Sequence, residues 1–370
     1  MKETEMGYRG SKSEIQRPQP KEISVKEQRV DGSWFLAKKA RSLRYTLMGL
    51  ERGYPVRFLS NQMVEKKNLF FSTQLNPYFV TGFCDAESSF QVLVTKNKNT
   101  RLGWTVRLFF TIGLHSRDLA LLLRIKEFFG CGYIVKDDNK NVVSFRVTSL
   151  EDITKFIIPH FSTYKLSTQK AADFKLFLQV TELMKKKGHL TTEGLQEIIN
   201  IKSSINLGLS DELKLNFINT VPVQRPTIQT RDIPDFNWIS GFVSGEGNFF
   251  VDIFKSSSNK IGYQVKLRFS VTQHNRDKEL LELIASYLGA GIVNIHSENA
   301  YVLKITKLVD LTTKIIPLFD KYSIQGIKFL DFLDFCEVAK IMSEGKHLTT
   351  EGLYLIRTIK DKMNMKRKID

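Results

Sequence analysis

The sequence predicts an α+β fold of two tandem αββαββα units, on two grounds. The chain repeats itself at the scale of a whole domain. Within each repeat, apolar residues recur first at helical and then at alternating spacing.

The repeat is plainest in one short segment. Val80-Thr81-Gly82-Phe83-Cys84-Asp85-Ala86-Glu87 reads beside Ile239-Ser240-Gly241-Phe242-Val243-Ser244-Gly245-Glu246, 159 residues further on. At the same offset Phe90 meets Phe249, Gly103 meets Gly262, and His115-Ser116-Arg117-Asp118 meets His274-Asn275-Arg276-Asp277. One residue is lost after Gly132 and Gly291, and the offset becomes 158. From there Lys170 meets Lys328, Asp173-Phe174 meets Asp331-Phe332, and His189-Leu190-Thr191-Thr192-Glu193-Gly194-Leu195 meets His347-Leu348-Thr349-Thr350-Glu351-Gly352-Leu353. A period of this size is far beyond the roughly 20–50 residues of a solenoid repeat, so each copy is a domain in itself. A chain of 370 residues has room for two such cores.

Each element has a local reason. Pro77, a favoured first-turn residue, opens the motif helix. Phe90, Val92 and Val94 fall on one face of the strand that follows. A polar turn from Lys96 to Gly103 leads into a second alternating run, Thr105 to Thr111. Ser116 is placed to cap a helix over Arg117–Phe129, whose leucines recur at helical spacing. Tyr133–Lys136 and Val142–Thr148 pair around a polar turn. Helices follow through residue 204, one of them capped by Thr191 with Leu190 and Leu195 as a hydrophobic staple. The expected units are 74–205 and 236–370. A linker, 206–235, carries Pro222, Pro226 and Pro234, which interrupt regular structure. Residues 1–73 match neither unit and read as a partly disordered extension, with room for a basic helix at Trp34–Leu50.

Composition narrows the function. Apolar content is 42% and charged content 25%, as in an ordinary globular protein, but the net charge of +16 calls for a polyanionic partner. No apolar run approaches the roughly 20 residues that span a bilayer, so no membrane is expected. Three scattered cysteines, with no CxxC pair, argue against zinc and favour a reducing compartment. Five glutamates among the first 27 residues (Glu3, Glu5, Glu14, Glu22 and Glu27) argue against an acid-poor presequence.

The doubled motif, with matching strands after each copy, resembles the LAGLIDADG homing endonucleases in their single-chain, two-motif form. The resemblance covers about residues 74–365. It implies that the motif helices pack side by side at a pseudo-twofold axis and that the two sheets form a DNA-binding saddle. Gly82-x-x-x-Ala86 and Gly241-x-x-x-Gly245 put small side chains one turn apart, as close backbone approach requires. Carried over to this chain, the family's metal-binding acids fall on Glu87 and Glu246. Two neighbouring carboxylates must share a proton or a cation, and Mg²⁺, which keeps waters and phosphate oxygens in its shell, answers that need. Two or more divalent ions are implied, with Ca²⁺ expected to bind without supporting cleavage. Lys170, Lys328 and Gln273 are further catalytic candidates by the same resemblance, with Leu114 standing opposite Gln273. The motif departs from the family at Ser88, in place of a final glycine, and at Ser244, in place of an acid. No cofactor-binding loop is expected.

Alternation assigns the DNA surface. With Phe90, Val92 and Val94 inward, Ser89, Gln91, Leu93 and Thr95 face outward, joined by Thr105, Arg107, Phe109 and Thr111. In the second unit Asn248, Phe250, Asp252 and Phe254 face out with Gln264, Lys266, Arg268 and Ser270. Arg146 and Lys304 come from the later strands, beside Ser144, Thr148, Val302 and Thr306. Such side chains suit base edges in the major groove. Lys96, Lys98, Arg101, Lys255 and Lys260 in the turns suit phosphates. The outward residues differ between units, so the expected target is an asymmetric duplex of roughly 20 base pairs read by a monomer. The reading is a metal-dependent, site-specific double-strand DNA endonuclease. The alternative is an RNA maturase that binds its host intron, with or without DNA cleavage. Abundant Phe, Ile, Lys and Asn, with the resemblance, suggest a mitochondrial, organellar-encoded origin.

Overall fold

The computed structural model describes residues 74–137, 139–229 and 232–367. The expected extension at 1–73, with its basic helix at Trp34–Leu50, lies outside the described residues. The first unit runs α1 (Pro77–Glu87), β1 (Ser88–Lys96), β2 (Trp104–His115), α2 (Leu119–Phe129), β3 (Tyr133–Asp137) and β4 (Val142–Val147), then α3 (Lys170–Lys185) and α4 (Thr192–Lys202). The second repeats it as α5 (Phe236–Glu246), β5 (Gly247–Lys255), β6 (Tyr263–His274), α6 (Lys278–Leu288), β7 (Ile292–Ser297), β8 (Ala300–Ile305), α7 (Lys328–Ser343) and α8 (Thr350–Lys360). Between β4 and α3 lies a further helical stretch, 150–163, whose middle winds as a π-helix over Ile153–Ile157.

Each sheet is antiparallel, in the order β1-β2-β4-β3 and β5-β6-β8-β7. The inner face of the first is Phe90, Val92, Val94, Val106, Leu108, Phe110, Val143, Phe145 and Val147, all buried as the alternation requires. Helices pack against that face. Phe90 meets Phe161, Phe174 and Phe177 at ring-centroid distances of 5.3–5.4 Å. Phe249 reproduces the cluster with Phe332 at 5.3 Å and Phe335 at 5.4 Å. Aromatic pairs of this kind contribute about 0.5–1.5 kcal/mol each beyond their buried area.

The structure corrects four local expectations. Ser116 does not cap a helix; His115 does, its Nδ1 accepting the Arg117 amide at 3.3 Å, and a 3₁₀ turn over Ser116–Asp118 precedes α2. His274 repeats the cap on Arg276. Thr191 caps α4 as expected, accepting the Gly194 amide at 3.1 Å, but Leu190 stays 55% exposed and closes no staple. Among its described residues, the segment 206–235 holds one short helix, Asp211–Asn216, capped by Ser210 ahead of the prolines. Val302 is on the outward register as expected, opposite Thr272 and Asn294, yet it is buried rather than open to a ligand.

A duplicated clasp closes each unit. Asn206 and Asn364, both at positive φ, donate their side-chain amides to the carbonyls of Phe90 and Phe249. Their own backbone amides go to Asp173 and Asp331. Arg225 then forks onto both oxygens of Asp173 at 2.6 and 2.9 Å, and Arg367 grips Asp331 and Asp334 at 2.7 and 2.6 Å. These buried acids are therefore paired, as burial demands.

Candidate active site

The two motif helices, α1 and α5, cross back to back. A Cβ on Gly82 would stand 2.0 Å from the Trp238 carbonyl oxygen, and one on Gly241 would stand 2.0 Å from that of Phe79. No side chain fits there; glycine is required by the crossing itself. Near the C-terminal ends, a Cβ on Gly245 would meet the Ala86 Cβ at 2.4 Å and the Glu87 Oε1 at 3.2 Å. The final residues of these helices, Glu87 and Glu246, are thus carried to the same small region, where the next residue of each chain segment starts a strand.

The motif's other variable positions are structural. Asp85 is buried and accepts four hydrogen bonds, from the Ser167 and Thr168 amides, the Thr168 hydroxyl and the Trp238 indole. Ser244, its counterpart, accepts only from the Gln325 amide, at 3.0 Å. The difference is explained by the repeat mates of the donors: Thr168 and Trp238 serve Asp85, whereas their counterparts, Gly326 and Phe79, offer no side-chain donor. A hydroxyl suffices for one amide; a carboxylate is needed for four donors. Ser88 likewise returns its hydroxyl to the Cys84 carbonyl at 2.7 Å. Its counterpart must be Gly247, since a Cβ there would fall 2.4 Å from the β-branched Val243.

Lys170 and Lys328 start α3 and α7 and reach across to the motif helices. The Lys170 ammonium donates to the carbonyls of Cys84 at 2.8 Å and Ala86 at 3.2 Å. Lys328 donates to those of Val243 and Gly245. Each lysine adds a charged donor at the helix-end carbonyls and complements the negative end of a helix dipole. Burial pulls the Lys328 ammonium down to about 8, against the opposing pull of Glu87 and Glu246. Lys170 is lowered by burial in the same way. Burial raises the pKa of both glutamates; Glu246 raises Glu87 further, and a hydrogen bond from Gln273 favours the charged form of Glu246. Glu87 has Leu114 on the equivalent strand position, which offers no such donor. An open cavity of about 810 Å³, lined by Glu87, Leu114, Lys328 and Asn248 among others, adjoins the Glu87 side.

The donor set fits a hard divalent cation. Glu87 and Glu246 are two partly buried carboxylates whose proton affinity burial raises, and a bound cation would favour their charged forms. Among the described residues no cluster of three or more His, Cys, Asp and Glu side chains exists. The remaining oxygens around a divalent ion would have to come from water and substrate.

The residues expected on the DNA surface line the outward faces in register. Gln91 pairs with Phe109, Leu93 with Arg107 and Thr95 with Thr105, while Thr111 continues to Arg146. Ser89 accepts from the Gln91 amide at 3.2 Å. In the second sheet Phe250 pairs with Arg268, Asp252 with Lys266, Phe254 with Gln264, and Asn248 with Ser270, which continues to Lys304. None of these side chains is buried. Arg268 is held over the Phe250 ring at 4.9 Å and faces Asp252 at 3.6 Å; Lys96 is paired with Glu212 at 3.2 Å. Sequence reasoning missed Asp118 and Asp277, which it used only to align the repeat. Their carboxylates accept the backbone amides of Ile327 and Gln169, each on the opposite unit.

Two fused αββαββα units meeting on paired acidic helix ends define a pseudo-twofold architecture. The family model for the LAGLIDADG endonuclease matches residues 80–181 and again 239–339, and the chain belongs to that family, in its two-motif form. It is 41% identical over 372 residues to "Probable intron-encoded endonuclease 3" of Neurospora crassa, covering 95% of this chain and 69% of that protein. "Probable intron-encoded endonuclease 2" of the same organism is 38% identical over 301 residues, covering 78% of this chain and 65% of the relative. Among solved structures, the I-SmaMI LAGLIDADG homing endonuclease bound to cleaved DNA matches with a TM-score of 0.78 and 45% identity, over 80% of this chain and 98% of that one. I-LtrWI, a LAGLIDADG homing endonuclease bound to target DNA, matches with a TM-score of 0.77 and 38% identity, over 79% of this chain and 98% of that one. Among the described residues no helix is long and apolar enough to cross a membrane.

Proposed function

We propose that the chain is a site-specific, double-strand DNA endonuclease that acts as a monomer on a long asymmetric target. One observation carries this reading: Glu87 and Glu246 are brought together, partly buried, at the close of two crossing helices. A solvated helix end would not desolvate two acids side by side. The related I-SmaMI, solved on an uncleaved target in the presence of calcium ions, is 46% identical to this chain and supports a divalent-ion requirement. Mg²⁺ is the ion proposed for cleavage, with Ca²⁺ binding without turnover.

Glu87 and Glu246 would hold the metal, which supplies charge neutralisation at the phosphoryl oxygens and an acidified water when bound. Lys170 and Lys328, tied to the helix ends, would put fixed positive charge beside the reacting phosphates. Gln273 would fix the Glu246 carboxylate. The outward rows, Ser89 to Lys96, Thr105 to Phe109 with Arg146, and Asn248 to Asp252 with Gln264, Lys266, Arg268 and Lys304, would read bases and position the duplex. Relatives named for an ND4 intron in Podospora anserina and for cox1 introns in Schizosaccharomyces pombe support an intron-borne, mitochondrial origin.

Selecting cleaved sites from a randomised duplex library, with and without Mg²⁺, tests the activity directly. Glu87→Gln or Glu246→Gln should lower cleavage by orders of magnitude while DNA binding in Ca²⁺ persists. Full cleavage by the double variant would overturn the assignment.

A further inference from the structure

The pair of cross-unit hydrogen bonds at Asp118 and Asp277 has a chemical consequence. Asp118 sits in the 3₁₀ turn after β2 and accepts the Ile327 amide at 2.8 Å; Asp277, its repeat mate, accepts the Gln169 amide at 2.8 Å. Ile327 and Gln169 are the residues immediately before Lys328 and Lys170, and neither caps its helix with its own side chain; on the Lys170 side the Thr168 hydroxyl accepts the Lys170 amide at 3.2 Å. The residue that leads into each lysine-bearing helix is therefore held by the unit it does not belong to. Gly326 makes the approach on one side feasible, since a Cβ there would lie 2.6 Å from the Asp118 Oδ1. Neighbouring contacts follow the same direction: Arg124 donates to the Gln325 side chain at 2.7 Å, and Arg117 to the Asn364 carbonyl at 3.4 Å.

We propose that Asp118 and Asp277 are positioning residues acting in trans, Asp118 on Lys328 and Asp277 on Lys170, so that docking of the two units sets both ammonium groups. This rests on the endonuclease reading above. Both are read as acting through the backbone, although Asp118 also lines the cavity beside Glu87. Each fixes the backbone from which a lysine reaches the motif helix, and a shift of that backbone moves the ammonium away from its carbonyls. If each lysine serves the scissile phosphate of a different strand, as the pseudo-twofold relation of the units would have it, the two effects are separable. A loss at Asp118 slows one strand; a loss at Asp277 slows the other.

The test is strand-resolved single-turnover cleavage of a target duplex labelled differently on its two strands, with the active fraction measured by titration. Asp118→Ala should slow one strand at least tenfold more than the other, Asp277→Ala should show the opposite bias, and the Kd for DNA in Ca²⁺ should stay within threefold for both. Asp118→Asn keeps an acceptor oxygen for the Ile327 amide and should restore most of the rate, which guards against a variant that merely folds poorly. Equal slowing of both strands, or an equal defect in Asp118→Asn and Asp118→Ala, would overturn the trans-positioning role. A wild-type chain that cleaves no duplex would instead overturn the endonuclease reading.

Discussion

Asp85 on one motif helix accepts the indole N–H of Trp238 on the other at 2.8 Å, in a wholly buried contact between the two units. It is the polar counterpart of the glycine crossing beside it. Trp238→Phe should remove one of four donors from a buried carboxylate and cost about 1–3 kcal/mol. Asp85→Ser in the same chain should recover part of that loss, because the second copy already combines Ser244 with Phe79, the repeat mates of Asp85 and Trp238. Chemical denaturation of the two single variants and the double measures the coupling, expected at about 0.5–3 kcal/mol. Simple additivity would show that the pair is not energetically linked.

Gly82→Ala and Gly241→Ala should each destabilise by more than an ordinary overpacked core, for which about 1–3 kcal/mol is typical. The obstacle is backbone at 2.0 Å rather than a side chain that can turn aside. Gly103→Ala is the contrasting control. Nothing lies within 4 Å of a Cβ there, and the cost comes only from its φ of +74°. Thermal melting of the three variants checks the order.

DNA affinity should be strongly electrostatic. A chain of net charge +16 that lays basic strand faces against phosphates should lose affinity linearly in log salt, by orders of magnitude between about 50 and 200 mM. Fluorescence anisotropy in Ca²⁺ across that range measures the slope. A nearly flat response would contradict a phosphate-tracking surface.

Recognition should divide between the units. Arg107 stands opposite Leu93 in the first sheet, and Arg268 is braced by Phe250 and Asp252 in the second. Substituting Arg268 should relax base preference on one side of the cut, by about 1–3 kcal/mol if its contact is bidentate. Substituting Arg107 should act on the other side. Cleavage profiling on half-site libraries reads both. A change that spreads over both half-sites from either substitution would rule out the division.

The fold was legible because its signals are local and doubled. Alternation named Phe90, Val92 and Val94 as inward, and the repeat tied each element to a second copy. Glu87 and Glu246 were legible for the same reason. Resemblance also singled out the lysines, but their hold on the helix-end carbonyls was not readable, since nothing in the order of residues says which carbonyl an ammonium 84 positions away will meet. Asp118 and Asp277 stood in the aligned repeat, yet their partners lie on the opposite unit, where periodicity is silent. In the sequence, Asp85 against Ser244 reads only as a departure from the motif. It is instead one of three coordinated changes, with Trp238 for Phe79 and Thr168 for Gly326, visible only once the helices cross.

The clasp that closes each unit bears on how such proteins diversify. Asn206 with Asp173, and Asn364 with Asp331, perform the same tie although one lies in mid-chain and the other near the last described residue. The arginine that completes it follows 19 residues later in one case and 3 in the other. Each unit therefore carries its own fastening. Halves with different reading faces can be exchanged as finished parts. Whether an exchanged pair docks is then decided by a short list of matched contacts along the seam, with Asp85 to Trp238 and the two reciprocal aspartate caps at its head.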